Sequence, residues 1–342
     1  MKTVKITGKA KVEIMDVPIP EPGAGEVLIR LKASALCRSD LHRYHGVAVF
    51  EKEEEGNNIT PGHEPCGVVE KLGPECSLVH PGDRVAIYLA MGCGTCEHCL
   101  NGDVMLCKEF QCLGFDRNGA HADYVVVPET NCMLLPEEMD YITGALSTDV
   151  GGTLYTACKR LHVDGSKMVV VFGIGPMGCG GVLMAKGFGA TVVAVDTDEN
   201  RLNLATELGA DYIVNPKQQN VVEYVKQLTG GKGADVALDC SGNSAGENNA
   251  IDCVKSRGDV GLIGENKECT INPADQFIRR LINMTGCWYF NRSDWEEISD
   301  FILRKNINLK KICSNVFPIE EAVEAFELFD SHGAQKVVFI WK

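Results

Sequence analysis

Along the first 150 residues, apolar and polar positions alternate in short runs, EVLIRLKAS, CGVVEKLG, DRVAIY and HADYVVV, with Gly- and Pro-rich stretches between them. A period of two belongs to strands with one buried face, so this stretch is expected to form a mainly β, barrel-like module with function on its loops. The opening MKTVKITGKAKVEIMDVPIP alternates like an edge strand and lacks the apolar block of a signal peptide. GALSTDVGGTLYTACKRL then starts a helical stretch that leaves this module. From Met168 the texture changes: MVVVFG reads as a buried strand, PMGCGGVLMAKGFG as a helix and TVVAVD as a second strand. DENRLNLATELG is the next helix, with Asp198 or Thr197 as its cap. The alternation continues through DYIV, VVEYVKQLTG, DVALDC, the NNAIDCVKS helix and DVGLIG. Repeated β-α units with apolar, β-branched strands predict a parallel, doubly wound sheet covered on both faces. Beyond Phe277, IRRLINMTGCWYF reads as a helix end and a strand, DWEEISDFILRKN and IEEAVEAFELF as amphipathic helices, and KVVFIWK as a last strand.

The expected division is therefore a mainly β module over 1–150, a doubly wound module over 151–288, and a 289–342 segment that partly returns to the first. The 33 basic and 47 acidic side chains give a net charge of −14, which opposes nonspecific binding to nucleic acid or an anionic membrane. No stretch approaches the roughly 18 apolar residues of a membrane span. Sixteen cysteines without a secretory segment point to a reducing, cytoplasmic setting in which thiolates persist as metal ligands; a disulfide scaffold is the competing reading.

In VFGIGPMG, Gly173, Gly175 and Gly178 follow a strand and open a helix in G-x-G-x-x-G spacing, with Pro176 and Met177 between the last two. Such a turn lets the backbone approach a pyrophosphate, and the helix start offers unpaired amide donors to it. Asp196 ends the next strand 18 positions after Gly178, where a carboxylate accepts ribose hydroxyls and repels a 2′-phosphate. NAD is therefore expected over NADP, with Arg201 as a second contact to adenine or phosphate. In GCGTCEHCLNGDVMLC, Cys93, Cys96, Cys99 and Cys107 supply four soft ligands, the closed shell of a structural zinc in a lobe spanning 92–108. An iron–sulfur cluster and unmetallated thiols are the alternatives, and His98 is expected to be an exposed neighbour.

CRSDLH and GHE supply Cys37, His63 and Glu64, and LSTDVGG adds Asp149. A Cys/His/carboxylate shell leaves one position open, as a catalytic Lewis-acid site requires. Asp149 is alternatively a helix cap, and Glu64 either binds the metal when water leaves or tunes its field. Asp40 is a candidate acceptor that orients the His63 ring.

Taken in order, CRSDLH, GHE, the four-cysteine lobe, GIGPMG and Asp196 resemble the medium-chain zinc alcohol dehydrogenase family along essentially the whole chain. The resemblance implies an α/β architecture, a GroES-like, mainly β catalytic domain joined to a Rossmann domain. It also implies two zinc ions per subunit, NAD, and a dimer or tetramer in which INMTGCWYF pairs with a second copy. It makes Cys37, His63 and Asp149 the catalytic ligands, the aspartate being closer to some formaldehyde and threonine dehydrogenases than to simple alcohol enzymes. Ser39 takes the first proton-transfer position, His42 the solvent end of the relay, and Arg38 and Lys336 become cofactor contacts. Tyr44, His45, Phe50, Phe115, Trp288 and Phe290 form a candidate substrate wall, and Asn291, Arg292 and Asp294 suit a polar polyol or cyclitol. An L-threonine 3-dehydrogenase, a simple alcohol or aldehyde dehydrogenase, and a non-catalytic zinc-stabilised NAD-binding protein are the other readings.

Overall fold

The computed structural model describes residues 1–49, 58–331 and 333–342. The chain divides into two compact units, one of Met1–Asp149, Phe290–Leu303 and Leu309–Lys342, the other of Val150–Tyr289 and Arg304–Asn308.

In the first unit the alternating runs become strands of one largely antiparallel sheet. Its order is Asn315–Pro318, Val337–Ile340, Glu26–Leu36, Glu64–Leu72, Arg84–Ile87 and Cys132–Leu134, and Tyr124–Pro128 also pairs with Glu26–Leu36. The terminal KVVFIWK strand lies antiparallel to the far half of Glu26–Leu36, matching Val337 to Leu36 and Ile340 to Ala33. A hairpin of Lys2–Gly8 and Lys11–Asp16 packs with the helix Ala322–Asp330. Val4, Leu36, Leu41, Phe326 and Phe339 close a shared core there.

The second unit carries a six-stranded, all-parallel sheet in the order Tyr212–Val214, Thr191–Val195, Met168–Phe172, Ala234–Asp239, Val254–Leu262 and Asn283–Gly286. Val170, Phe172 and Val193 point into a core with Val221, Val225 and Ile251 from two helices. On the opposite face Val171 and Leu238 approach Gly181 of the helix Pro176–Gly187. Burial on both faces explains why these strands read as continuous apolar runs. Asp198, not Thr197, caps the helix Glu199–Glu207, accepting from the backbone N–H groups of Asn200 and Arg201. The NNAIDCVKS helix ends earlier than its composition suggests: Ser244–Cys253 is helical, and Val254 already pairs with Ala234 in the sheet. Burial of Val254 inside the sheet core outweighs the local helical pattern. No helix among the described residues is long and apolar enough to cross a membrane.

Candidate active site and metal centres

Cys37 ends the long strand and stands immediately before the short helix Arg38–Tyr44. Asp40, in the first turn of that helix, reaches back to accept the Cys37 backbone N–H at 2.9 Å, which fixes the strand-to-helix corner. Glu64 opens the next strand, and His63 stands immediately before it. Asp149 lies in a π-turn, Ser147–Gly151, between the helices Tyr141–Leu146 and Gly152–Arg160. A π-turn adds a residue to the helical repeat and re-aims what it carries, a device common at functional sites.

These segments bring one candidate ligand atom each from Cys37, His63, Glu64 and Asp149 within 4.8 Å of one another. Cys37 Sγ is 3.9 Å from Asp149 Oδ2, and His63 Nε2 is 4.0 Å from Glu64 Oε1 and 3.4 Å from Ser39 Oγ. Ligands on a tetrahedral ion at zinc bond lengths stand about 3.3–3.8 Å apart, so small side-chain shifts close the set on a metal. The charge balance fits as well. Asp40, Glu64 and Asp149 are buried carboxylates, the Glu64 Oε2 atom has no hydrogen-bond partner among the described residues, and the fully buried Lys336 ammonium pairs with Glu64 Oε1. Anionic groups crowded in a dry site call for a further cation.

Burial pushes the Glu64 carboxyl up, opposed by the Lys336 ammonium beside it. Burial also disfavours the charged form of His63, but the Asp40 carboxylate outweighs it and holds the ring well above the ordinary histidine range. Asp40 is held far below the carboxylate range because the His63 and His121 rings outweigh its own complete burial.

The second cluster is Cys93, Cys96, Cys99 and Cys107, whose sulfur atoms also lie within 4.8 Å of one another. Backbone N–H groups of Cys96, Cys93 and Glu109 donate to Cys93 Sγ, Cys107 Sγ and Cys107 Sγ at 3.4, 3.4 and 3.3 Å. Donors from Thr95 and Cys96 draw the Cys93 thiol down to about 6, whereas burial and the neighbouring thiols push Cys99 up to about 12. Only Met105 and Cys107 are buried in the 92–108 lobe, so it lacks an apolar core of its own. His98 is partly exposed beside Glu97. All sixteen cysteines are free, which sets aside a disulfide scaffold.

In the second unit, Gly173 takes φ +79° against Ser241, and a side chain on Gly178 would stand 1.9 Å from Gly173 O. Both glycines are therefore demanded by the turn itself. Gly175 caps the helix, Pro176 and Met177 begin it, and, its chain neighbours aside, no atom of the described residues stands within 4 Å of where a Gly175 side chain would lie, leaving room for a ligand. Asp196 receives the Ile174 N–H at 2.7 Å and the Asp198 N–H at 3.0 Å, with Arg201 3.7 Å away.

Other expectations are redistributed. Tyr44 and Phe290 are not substrate walls: Tyr44 packs on Phe326 in the first unit's core, and Phe290 is buried against Tyr88. Phe115 is buried 5.1 Å from the His63 ring, and His45 bonds Asp330. Trp288 is partly exposed and stacks on Tyr289. Asn291 packs toward Gly102 in the cysteine lobe, with Arg292 and Asp294 in the next short turn. Ser39 is half-buried, and Arg38 and His42 are exposed on the same helix. Phe50 lies outside the described residues. His121, within HADYVVV, went unnoticed in the sequence; its pairing with Ser34 and Asp40 follows from strand packing and leaves no local motif.

Residues 23–137 match the alcohol dehydrogenase GroES-like domain, and residues 176–304 the zinc-binding dehydrogenase domain. The zinc-type alcohol dehydrogenase-like protein YphC of Escherichia coli is 32% identical over 99% of this chain and 98% of its own length. The chain belongs to the zinc-type alcohol dehydrogenase family. A sorbitol dehydrogenase of Halalkalibacterium halodurans is 30% identical, covering 97% of this chain and 96% of its own. An L-threonine 3-dehydrogenase of Bacillus subtilis is also 30% identical, covering 98% and 97%. A solved NAD-dependent alcohol dehydrogenase superposes with a TM-score of 0.88 at 31% identity, covering 100% of both chains. These relatives are alcohol dehydrogenase-type oxidoreductases, in keeping with the GroES-like and parallel-sheet folds of the two units.

Proposed function

We propose that the chain interconverts a secondary alcohol and its ketone with NAD, and that Cys37, His63 and Asp149 hold a catalytic zinc. The convergence of these residues with Glu64 is the observation that carries this reading. When bound, zinc supplies Lewis acidity to the substrate oxygen and NAD accepts the hydride. Asp40 orients the His63 ring. Ser39, 3.4 Å from His63 Nε2, would accept the proton of the substrate hydroxyl while passing its own hydroxyl proton on through the cofactor ribose toward His42. His42, exposed one turn along the helix, releases it toward solvent. Lys336 holds Glu64 as a buried counter-charge and keeps its proposed role as a cofactor contact beside that. Glu64 tunes the field at the site. Cys93, Cys96, Cys99 and Cys107 hold a second, structural zinc that folds their lobe.

The nucleotide is proposed to bind at Gly173, Gly175, Pro176, Met177 and Gly178, with its ribose on Asp196 and Arg38 as a further contact. The Asp196 carboxylate would repel a 2′-phosphate, which favours NAD over NADP, and Arg201, 3.7 Å from it, is a further contact to adenine or phosphate. The division into a catalytic domain at 1–150, an NAD domain at 151–288 and a returning 289–342 segment follows the same reading. A polyol or cyclitol is the proposed substrate, supported by the sorbitol dehydrogenase relative. The equally similar threonine enzyme supports a second reading. The exposed edge strand Asn283–Gly286 suits pairing with a second copy, giving a homodimer or tetramer. Sixteen free thiols suit a cytoplasmic setting.

A screen of NAD reduction with sugar alcohols, cyclitols, threonine and simple alcohols tests the assignment, with Asp149→Ala as control. Turnover on a polyol that falls at least about 1,000-fold in folded Asp149→Ala is expected. Near-wild-type activity of that variant would defeat the ligand assignment. Zinc and NAD binding without turnover on any alcohol would favour a non-catalytic role.

A further inference from the structure

Asp40 sits between two imidazoles. Its Oδ1 faces His63 Nδ1 at 3.5 Å and the Gly62 N–H at 3.3 Å. Its Oδ2 receives the Cys37 N–H at 2.9 Å and faces His121 Nε2 at 3.8 Å. A carboxylate offers about four lone-pair sites, and these four donors would fill them. Among the described residues, both ring nitrogens that face Asp40 are buried without a hydrogen-bond partner, each just beyond bonding range of the carboxylate. A shift of well under an ångström closes both contacts, and leaving them open is costly in a dry interior.

His121 is fully buried, yet its surroundings are those of an apolar residue: the Phe339 and Phe326 rings meet it edge-on at 4.9 and 6.1 Å. An imidazole in such a place costs stability unless its nitrogens are used. Nδ1 bonds the buried Ser34 hydroxyl at 3.0 Å, which leaves Nε2–H for Asp40. The ring is also fixed in place. The His121 and Ala120 N–H groups bond Pro61 O and Gly62 O at 2.9 Å, and a side chain at Gly62 would stand 2.5 Å from His121 Nδ1.

We infer that His121 is a positioning residue for the catalytic metal: Ser34, His121 and Asp40 form a buried chain that sets the tautomer and tilt of His63. Ser34 O–H donates to His121 Nδ1, His121 Nε2–H to Asp40, and His63 Nδ1–H to Asp40, leaving the His63 Nε2 lone pair for the ion. The sharing of one carboxylate by two rings couples metal retention to a residue in the segment before the strand Tyr124–Pro128. This rests on the proposal that Cys37, His63 and Asp149 hold the metal.

The test compares the full-length wild-type protein with His121→Phe, His121→Gln and Ser34→Ala. Metal per chain, chelator competition for zinc and the visible spectrum after cobalt substitution are measured beside thermal melting. In His121→Phe, one of two metals should pass to chelator about 10-fold more readily with a shifted cobalt spectrum, while the other is retained as in wild type. His121→Gln, whose amide can still donate to Asp40, should recover most of that loss. Ser34→Ala should weaken retention by a few-fold. A folded His121→Phe with wild-type retention and spectrum, even if its melting point falls, would overturn the inference. Should that variant not fold, wild-type retention in Ser34→Ala would overturn it equally. A wild-type chain that holds only its four-cysteine metal would instead overturn the site reading and the inference with it.

Discussion

Single side chains in this protein carry charges that only their neighbours make tolerable. Asp196 accepts two backbone N–H groups at its strand end, which fix the carboxylate proposed to hold the ribose. Asp196→Ser should lower kcat/KM for NAD by about 10–100-fold, the worth of hydrogen bonds to a charged group, and should erase discrimination against NADP. Steady-state kinetics with both cofactors would check this, and an unchanged NAD/NADP ratio would show that the carboxylate does not choose the cofactor. The glycines, Asp196 and the four cysteines were legible because their chemistry lies in contiguous stretches. Cys37, His63 and Asp149 were legible by residue type, though their proximity is a product of folding. The Lys336–Glu64 pair, 272 positions apart, and His121 were not legible, because only the folded chain brings such partners together. Tyr44 and Phe290 misled for the converse reason: an aromatic in the sequence looks the same whether it lines a pocket or fills a core.

At the scale of elements, the turn that carries Asp149 depends on the helix before it. Asp140 caps Tyr141–Leu146 by accepting the Thr143 N–H at 3.0 Å, and Lys310 stands 3.1 Å from it. Asp140→Ala should cost about 1 kcal/mol of stability by denaturant unfolding at pH 7. Burial works to raise the Asp140 carboxyl, but the Thr143 donors and Lys310 outweigh it and lower it from its usual value of 3.8. A carboxyl depressed in the folded state stabilises above its unfolded pKa and loses that contribution as pH falls through the folded value. The gap between wild type and Asp140→Ala should therefore hold from neutral pH to about pH 5 and shrink below about pH 4. A gap independent of pH would show that the charge is not what caps the helix. Strands and helices of the parallel sheet were readable from periodicity, whereas the π-turn was not, since one inserted residue leaves no repeat to detect. The early end of Ser244–Cys253 was hidden because pairing of Val254 with Ala234 is a tertiary event.

For the whole molecule, the net charge of −14 and the edge strand Asn283–Gly286 point in different directions. Like charge keeps copies apart, while an unpaired edge with exposed Leu281 and Met284 invites them together. Met284→Lys should weaken self-association at least about 10-fold in sedimentation measurements, by placing a charge in the contact. An unaltered oligomer would move the contact elsewhere. The two-module architecture was visible from the change in texture at Met168, and the return of the last strand to Glu26–Leu36 is a matter of pairing. The proposed chemistry as a whole depends on an ion held by side chains drawn from three separate segments. Anomalous diffraction at the zinc edge from crystals of the full chain addresses this directly. Two peaks per chain are expected, one within bonding distance of Cys37, His63 and Asp149 and one among the four lobe cysteines. A lobe peak alone, from zinc-replete protein, would contradict the proposed catalysis.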